Sequence, residues 1–199
     1  MTWVKLCGMT RRRDVEAAVS AGADAVGFVV APVSPRFVPL QRVVDLAAGI
    51  PVERYLLTVD SDPEWVVAAA VSAGVSGVQP HGVHSADAAR AALRAGLAVL
   101  FPVPVTAGTP DLTVVPEGAR PLLDTGGTGV HGGTGRRFAW DLAGGLGGDF
   151  VIAGGLTPAS VAGAIAATGA WGVDVSSGVE RSPGIKDPDL MRQFVEAAR

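Results

Sequence analysis

The sequence is short of the residues on which much protein chemistry depends. Cysteine occurs once, as Cys7, so an intramolecular disulfide and a cysteine-based zinc site are excluded by counting. A lone thiol fits a reducing compartment, and a cytoplasmic location is expected. Lysine occurs only as Lys5 and Lys186, and charged residues make up 18% of the chain. The 16 basic and 19 acidic residues leave a net charge of -3 without a basic stripe. Nucleic acid and anionic membrane surfaces therefore lack an electrostatic case, and a small-molecule partner is expected. No apolar run approaches the roughly 18 residues of a membrane span. The opening MTWVKLCGMTRRRD shows no signal-peptide pattern, so neither a signal peptide nor a membrane helix is expected. His81, His84 and His131 have no metal-ligand spacing with neighbouring acids, and no metal is expected.

Apolar residues are plentiful, at 48% of the chain with a mean hydropathy of +0.36. A chain of 199 residues this apolar folds around one sizeable core, and residues 1–199 are expected to form a single domain. Eight short apolar runs recur: Trp3–Cys7, Ala25–Val30, Arg54–Val59, Gly77–Pro80, Ala98–Val103, Pro121–Asp124, Phe150–Ala153 and Gly172–Val175. Their centres step along the chain by roughly 22 or 29 residues, a regular repeat. Helical patterning fills most of the gaps, at Arg11–Ala21, Leu40–Ala48, Pro63–Ala73, Ser85–Ala95, Ala139–Leu146, Pro158–Thr168 and Pro188–Ala198. Ser85, Thr157 and Asp187 are placed to cap helices, and Pro63, Pro158 and Pro188 to open them.

Continuously apolar strands alternating with amphipathic helices indicate parallel strands covered on both faces. Eight evenly spaced units close most naturally into an α/β (β/α)8 TIM barrel, with an open doubly wound sheet as the main alternative. The segment VTAGTPDLTVVPEGA between the fifth and sixth strands is rich in proline and glycine and lacks a helical period. A degenerate or missing fifth helix is therefore expected.

In such a barrel the chemistry sits at the carboxyl ends of the strands. Those ends carry Cys7-Gly8, Ser34-Pro35-Arg36, His81-Gly82, Asp124, Gly154-Gly155, and Asp174 followed by Ser176-Ser177-Gly178. Gly154, Gly155, Ser176, Ser177 and Gly178 after strands seven and eight read together as a phosphate site, since barrels often bind phosphate there. Singly, each is better explained as a turn residue. Gly132–Gly135 can add amides or a cover. A lone cysteine is usually a small buried hydrophobe, but at a strand mouth Cys7 becomes a candidate nucleophile or base. At an ordinary pKa near 8.5 only about 3% of it is thiolate at pH 7, so that role needs a nearby positive charge or helix terminus. Asp124 closes an apolar strand, where a carboxylate is costly without a partner or a task. Arg36 suits either a structural acid or a substrate carboxylate. GTGVHG at Gly127–Gly132 matches a dinucleotide-binding pattern in letters only, because no helix opens inside that loop.

Taken together these strand ends resemble the phosphoribosylanthranilate isomerase family of tryptophan biosynthesis, over essentially the whole chain. The likeness rests on VKLCGMT, GADAVGFVVAPVSPRFV, VQPHG, LLDT with the later GGTGRRFAW, IAGGLTPASV and GVDVSSGVERSPGIKD, in that order. It implies a (β/α)8 barrel that rearranges N-(5-phosphoribosyl)anthranilate to the 1-deoxyribulose 5-phosphate without metal or organic cofactor. It further implies Asp124 as general acid, Cys7 as general base and Arg36 as the grip on the anthranilate carboxylate. Asp174 and His81 are implied as substrate-binding. The two catalytic groups are then expected to flank an open pocket across the barrel mouth.

Pro80, a fifth strand without lysine and a second GGTG copy depart from the family's pattern. A histidine-pathway isomerase would need a second glycine-rich anion site, and the third and fourth strand ends, TVDSD and QPHG, supply none. A pentose-phosphate epimerase would need metal ligands, and indole-glycerol-phosphate synthase would need catalytic lysines. A catalytically silent phosphate-binding barrel remains the alternative from another class.

Overall fold

The eight apolar runs form eight parallel strands that hydrogen-bond in sequence order and close on themselves. They are β1 (Trp3–Leu6), β2 (Ala25–Val29), β3 (Glu53–Val59), β4 (Gly77–His81), β5 (Ala98–Val105), β6 (Arg120–Thr125), β7 (Val151–Ile152) and β8 (Gly172–Val175). A computed structural model describes residues 1–105, 108–125, 140–143, 145–146 and 149–199. The segments containing His131 and the two GGTG copies lie outside the described residues. Closure is made by β1 against β8, with Val4 opposite Val173 and Lys5 opposite Asp174.

Helices α1 (Arg12–Ser20), α2 (Leu40–Ala47), α3 (Pro63–Ala73), α4 (Ser85–Arg94), α5 (Val161–Thr168) and α6 (Pro188–Ala198) follow strands 1 to 4, 7 and 8. Between β5 and β6 the described residues hold only a single 3-10 turn, Leu112–Val114, in line with the missing helical period there. Within the helix expected at Ala139–Leu146, the described residues hold a 3-10 turn at Trp140–Ala143.

Helix starts show which side chains really cap. Asp187 accepts from the amides of Asp189 and Leu190, and Asp62, ahead of Pro63, accepts from Glu64 and Trp65. Two expected caps are corrected. Ser85 lies inside α4, with His84 at its boundary and no side-chain cap bond. Thr157 and Pro158 make a preceding turn in which the Thr157 carbonyl accepts from Ser160 and Val161, so α5 starts at Val161. A small antiparallel hairpin, β9 (Glu180–Ser182) with β10 (Ile185–Lys186), stands between β8 and α6. Its strands of two or three residues are too short to show alternation in the sequence.

Two apolar layers result. The larger packs the outward faces of the strands against the helices, with Val4, Leu6, Phe28, Leu56, Leu123, Ile152 and Phe194 among its buried members. The smaller fills the inside of the barrel with Trp3, Ala25, Tyr55, Leu100, Leu122, Val151 and Ala153. At the amino end Trp3 stacks on Trp171 with centroids 5.2 Å apart, meets Tyr55 edge-on, and Arg120 lies 3.6 Å over the Trp171 ring. That plug leaves the carboxyl end as the open one.

Candidate active site at the carboxyl end of the barrel

Side chains alternate along a strand, so Trp3, Lys5 and Cys7 fall on the inner face of β1 and its continuation. By the same parity Gly27, Leu57, Gln79, Asp124, Ala153 and Asp174 point inward. Above the aromatic plug the barrel opens into a cavity of about 260 Å3. Cys7, Arg36, His81, Asp124, Gly154, Gly155, Asp174, Ser176, Ser177 and Gly178 all line it, so every residue expected at the site converges on one pocket. β1 and β6, which carry Cys7 and Asp124, are separated on the ring by β7 and β8.

Cys7 is only 4% exposed, and its amide donates to the Val175 carbonyl. A Cβ added to Gly27 would stand 2.8 Å from Cys7 Sγ and 3.2 Å from Lys5 Cε. The missing side chain of Gly27 is thus the space that Cys7 and Lys5 share. Burial pushes the Cys7 thiol above its ordinary pKa, against the opposing pull of the Lys5 and Lys186 ammonium groups. Asp124 is half-buried at the pocket wall.

Two buried polar networks, which the sequence did not disclose, support these groups. In the first, the Lys5 ammonium is fully buried and donates to Gln79 Oε1 at 2.9 Å and to Asp174 Oδ2 at 3.0 Å. Gln79 in turn meets His81 Nε2 at 3.1 Å. Burial draws the Lys5 pKa down, but Asp174 and Cys7 more than restore it, and the group lies above its ordinary value. Asp174 Oδ1 is buried with no hydrogen-bond partner among the described residues.

In the second network Arg36 Nε and Nη2 both donate to Glu180 at 2.8 Å. Lys186 Nζ also donates to Glu180, at 2.8 Å, and to the Ser176 carbonyl at 3.0 Å. Burial pushes the Glu180 carboxyl up, but Arg36 and Lys186 overcome it and hold the group below the ordinary glutamate range. Arg36 therefore has the acidic partner allowed for in the sequence, on the β9–β10 hairpin, and two of its three nitrogens are committed there. Only Nη1 remains outside that pairing.

The glycine-lined side of the pocket depends on backbone shape. Gly154 and Gly155 adopt φ of 86° and 63°, values that a residue with a Cβ takes only under strain. A Cβ on Gly178 would collide with the Leu156 carbonyl oxygen, so the turn Ser177–Val179 can lie against the strand-seven loop only with glycine there. Among the described residues no three His, Cys, Asp or Glu side chains gather as metal ligands, and no helix is long and apolar enough to cross a membrane.

Residues 4–197 match the family model of N-(5′-phosphoribosyl)anthranilate (PRA) isomerase. An N-(5′-phosphoribosyl)anthranilate isomerase of Rubrobacter xylanophilus is 40% identical over 205 residues, covering 100% of both chains. The crystal structure of phosphoribosyl anthranilate isomerase from Thermotoga maritima is similar at a TM-score of 0.86 and 31% identity, over 100% of this chain and 98% of that one. A crystal structure of a phosphoribosyl anthranilate isomerase in complex with reduced 1-(o-carboxyphenylamino)-1-deoxyribulose 5-phosphate is similar at a TM-score of 0.82 and 31% identity, with the same coverage.

Proposed function

The chain belongs to the N-(5′-phosphoribosyl)anthranilate isomerase family, and from that premise we propose that Cys7 and Asp124 are the base and the acid of its reaction. The protein is an isomerase of tryptophan biosynthesis that converts N-(5′-phosphoribosyl)anthranilate to 1-(2-carboxyphenylamino)-1-deoxyribulose 5-phosphate. The observation that carries the residue assignment is the single pocket in which a thiol, a carboxyl group and a glycine-rich cradle meet at the barrel mouth.

In the proposed sequence the Asp124 carboxylic acid protonates the furanose ring oxygen, the C1–O bond breaks, and the nitrogen lone pair forms an iminium. Its positive charge acidifies the C2–H bond. The Cys7 thiolate removes that proton, leaving an enolamine whose enol proton passes to C1 as the ketone forms. Asp124 then carries a negative charge and Cys7 a proton, and exchange with water resets both. C1 is reduced and C2 oxidised within one molecule, which makes this an intramolecular oxidoreduction requiring no cofactor or metal.

Positioning falls to the rest of the pocket. Gly154, Gly155 and Ser176 to Gly178 receive the phosphate through amides and hydroxyls. Arg36 offers Nη1 to the anthranilate carboxylate, and Asp174 Oδ1, buried and without a partner among the described residues, accepts a hydrogen bond from a ribose hydroxyl. His81 borders the substrate from β4. A cytosolic location suits a base that must stay a free thiol.

The test is turnover of N-(5′-phosphoribosyl)anthranilate by purified protein with a chelator present, together with rescue of a tryptophan auxotroph lacking this one step. General acid and base catalysis each contribute about 10²–10⁴-fold, so Cys7→Ser and Asp124→Asn should lower kcat by that range while the fold persists. Near-wild-type kcat in either folded variant removes that residue from the mechanism.

A further inference from the structure

A fully buried lysine inside a barrel is expensive unless its charge has partners and a use. Lys5 lies one layer below Cys7 on the same inward face of β1. An ammonium has three N–H donors, and two of them are taken, by Asp174 Oδ2 and Gln79 Oε1. Both acceptors come from other strands, β8 and β4, so the ammonium is held at a fixed point in the barrel interior. The space that Gly27 leaves empty brings Lys5 Cε and Cys7 Sγ to the same spot.

From this geometry we propose that Lys5 is a positioning residue of the isomerisation: its anchored ammonium turns its third N–H to Cys7 and supplies the fixed positive charge that a thiolate requires there. Asp174 then has two separate tasks, one on each oxygen. Oδ2 anchors Lys5 and Oδ1 faces the substrate.

Among the described residues the charged groups around Cys7 are few. Lys5 stands on β1, Asp174 on β8 and Lys186 on β10, with Arg36 reaching in from the segment after β2. His81 and Asp124 close the pocket from β4 and β6. Lys5 and Lys186 favour the thiolate and Asp174 disfavours it. Lys186 and Arg36 are both turned to Glu180, whereas Lys5 shares the space over Gly27 with Cys7, so Lys5 is the cation whose position answers to Cys7. The inference rests on Cys7 being the base, but its test does not.

Because Cys7 is the only cysteine, iodoacetamide consumption as a function of pH reports its ionisation alone. Lys5→Met together with Asp174→Asn removes both buried charges at once, so the fold is not left with an unpaired one. In that variant the alkylation midpoint should move to higher pH by one unit or more. Loosening of the barrel would hydrate Cys7 and move the midpoint the other way. Asp174→Asn alone keeps Lys5 and removes the competing anion, and its midpoint should fall below the wild-type value. An unchanged or lowered midpoint in the folded double variant, or an unchanged or raised one in Asp174→Asn, overturns the proposal. If the midpoints move as expected but Cys7→Ser retains kcat, the base assignment fails while the Lys5–Cys7 coupling stands.

Discussion

At the scale of single residues, Glu180 shows how one buried carboxylate decides where an arginine at the pocket wall points. It holds Arg36 by two bonds and Lys186 by a third, with side-chain exposures of 4% for Glu180 and 0% for Lys186. Removing it leaves two cations unpaired in a buried site. Glu180→Gln should cost about 3–5 kcal/mol in urea unfolding at neutral pH, the range for breaking a buried pair. The pH dependence follows from the sign of the shift. The folded carboxyl lies below its ordinary 4.5, so its stabilisation is present above that value and is lost as pH falls through the folded one. The stability gap between wild type and Glu180→Gln should therefore narrow in acid, and a constant gap from pH 7 to 3 would contradict this account. Arg36→Ala should weaken binding of the reduced product analogue by about 1.5–3 kcal/mol, as for a hydrogen bond to a charged group. An unchanged Kd by calorimetry would confine Arg36 to docking the hairpin.

At the scale of elements, strand positions were legible because each buried parallel strand is a short continuous apolar run, and the strand-end residues followed from that placement. Cys7, Asp124 and the glycines could be named because strand ends are where a barrel does chemistry. Lys5, Gln79 and Glu180 could not, for a physical reason. Lys5 and Gln79 are interior positions of apolar strands whose partners lie on strands distant in sequence. Glu180 belongs to a hairpin too short for any periodicity. Strand parity was the available signal: a lysine two residues before the candidate base shares its inward face.

Caps are less legible, since serine and threonine near a helix start serve turns as readily as caps. That yields a paired expectation. Asp62→Ala removes bonds to the Glu64 and Trp65 amides and should cost about 1 kcal/mol of stability. Ser85→Ala, lacking any cap bond, should change it by less than about 0.5 kcal/mol. Equal losses in thermal melts of the two would refute the boundary of α4 given above.

At the scale of the whole molecule, the barrel is a closed ring whose first and last strands seal it, and the polar layer beneath the pocket is sealed by the same contact. A chain ending at Gly169 would lack β8. It would expose the edges of β1 and β7 and leave Lys5 without Asp174. Such a chain should show no cooperative thermal transition, and a sharp melt from it would mean that closure is not required for folding. The inner apolar layer would also lose Trp171, whose ring stacks on Trp3.

The pairing of Lys5 with Asp174 spans 169 residues of sequence. On a ribosome adding roughly 5–20 residues per second, the anion is made some 10–30 s after the cation. Throughout that interval the first strand carries an ammonium without the carboxylate that pairs with it in the closed barrel, so it is costly to bury and better left in water. The interior is therefore sealed last, by the arrival of the strand that also completes the pocket. Isomerase activity in a nascent chain is accordingly all-or-none: no partly made molecule offers the cell a half-working site.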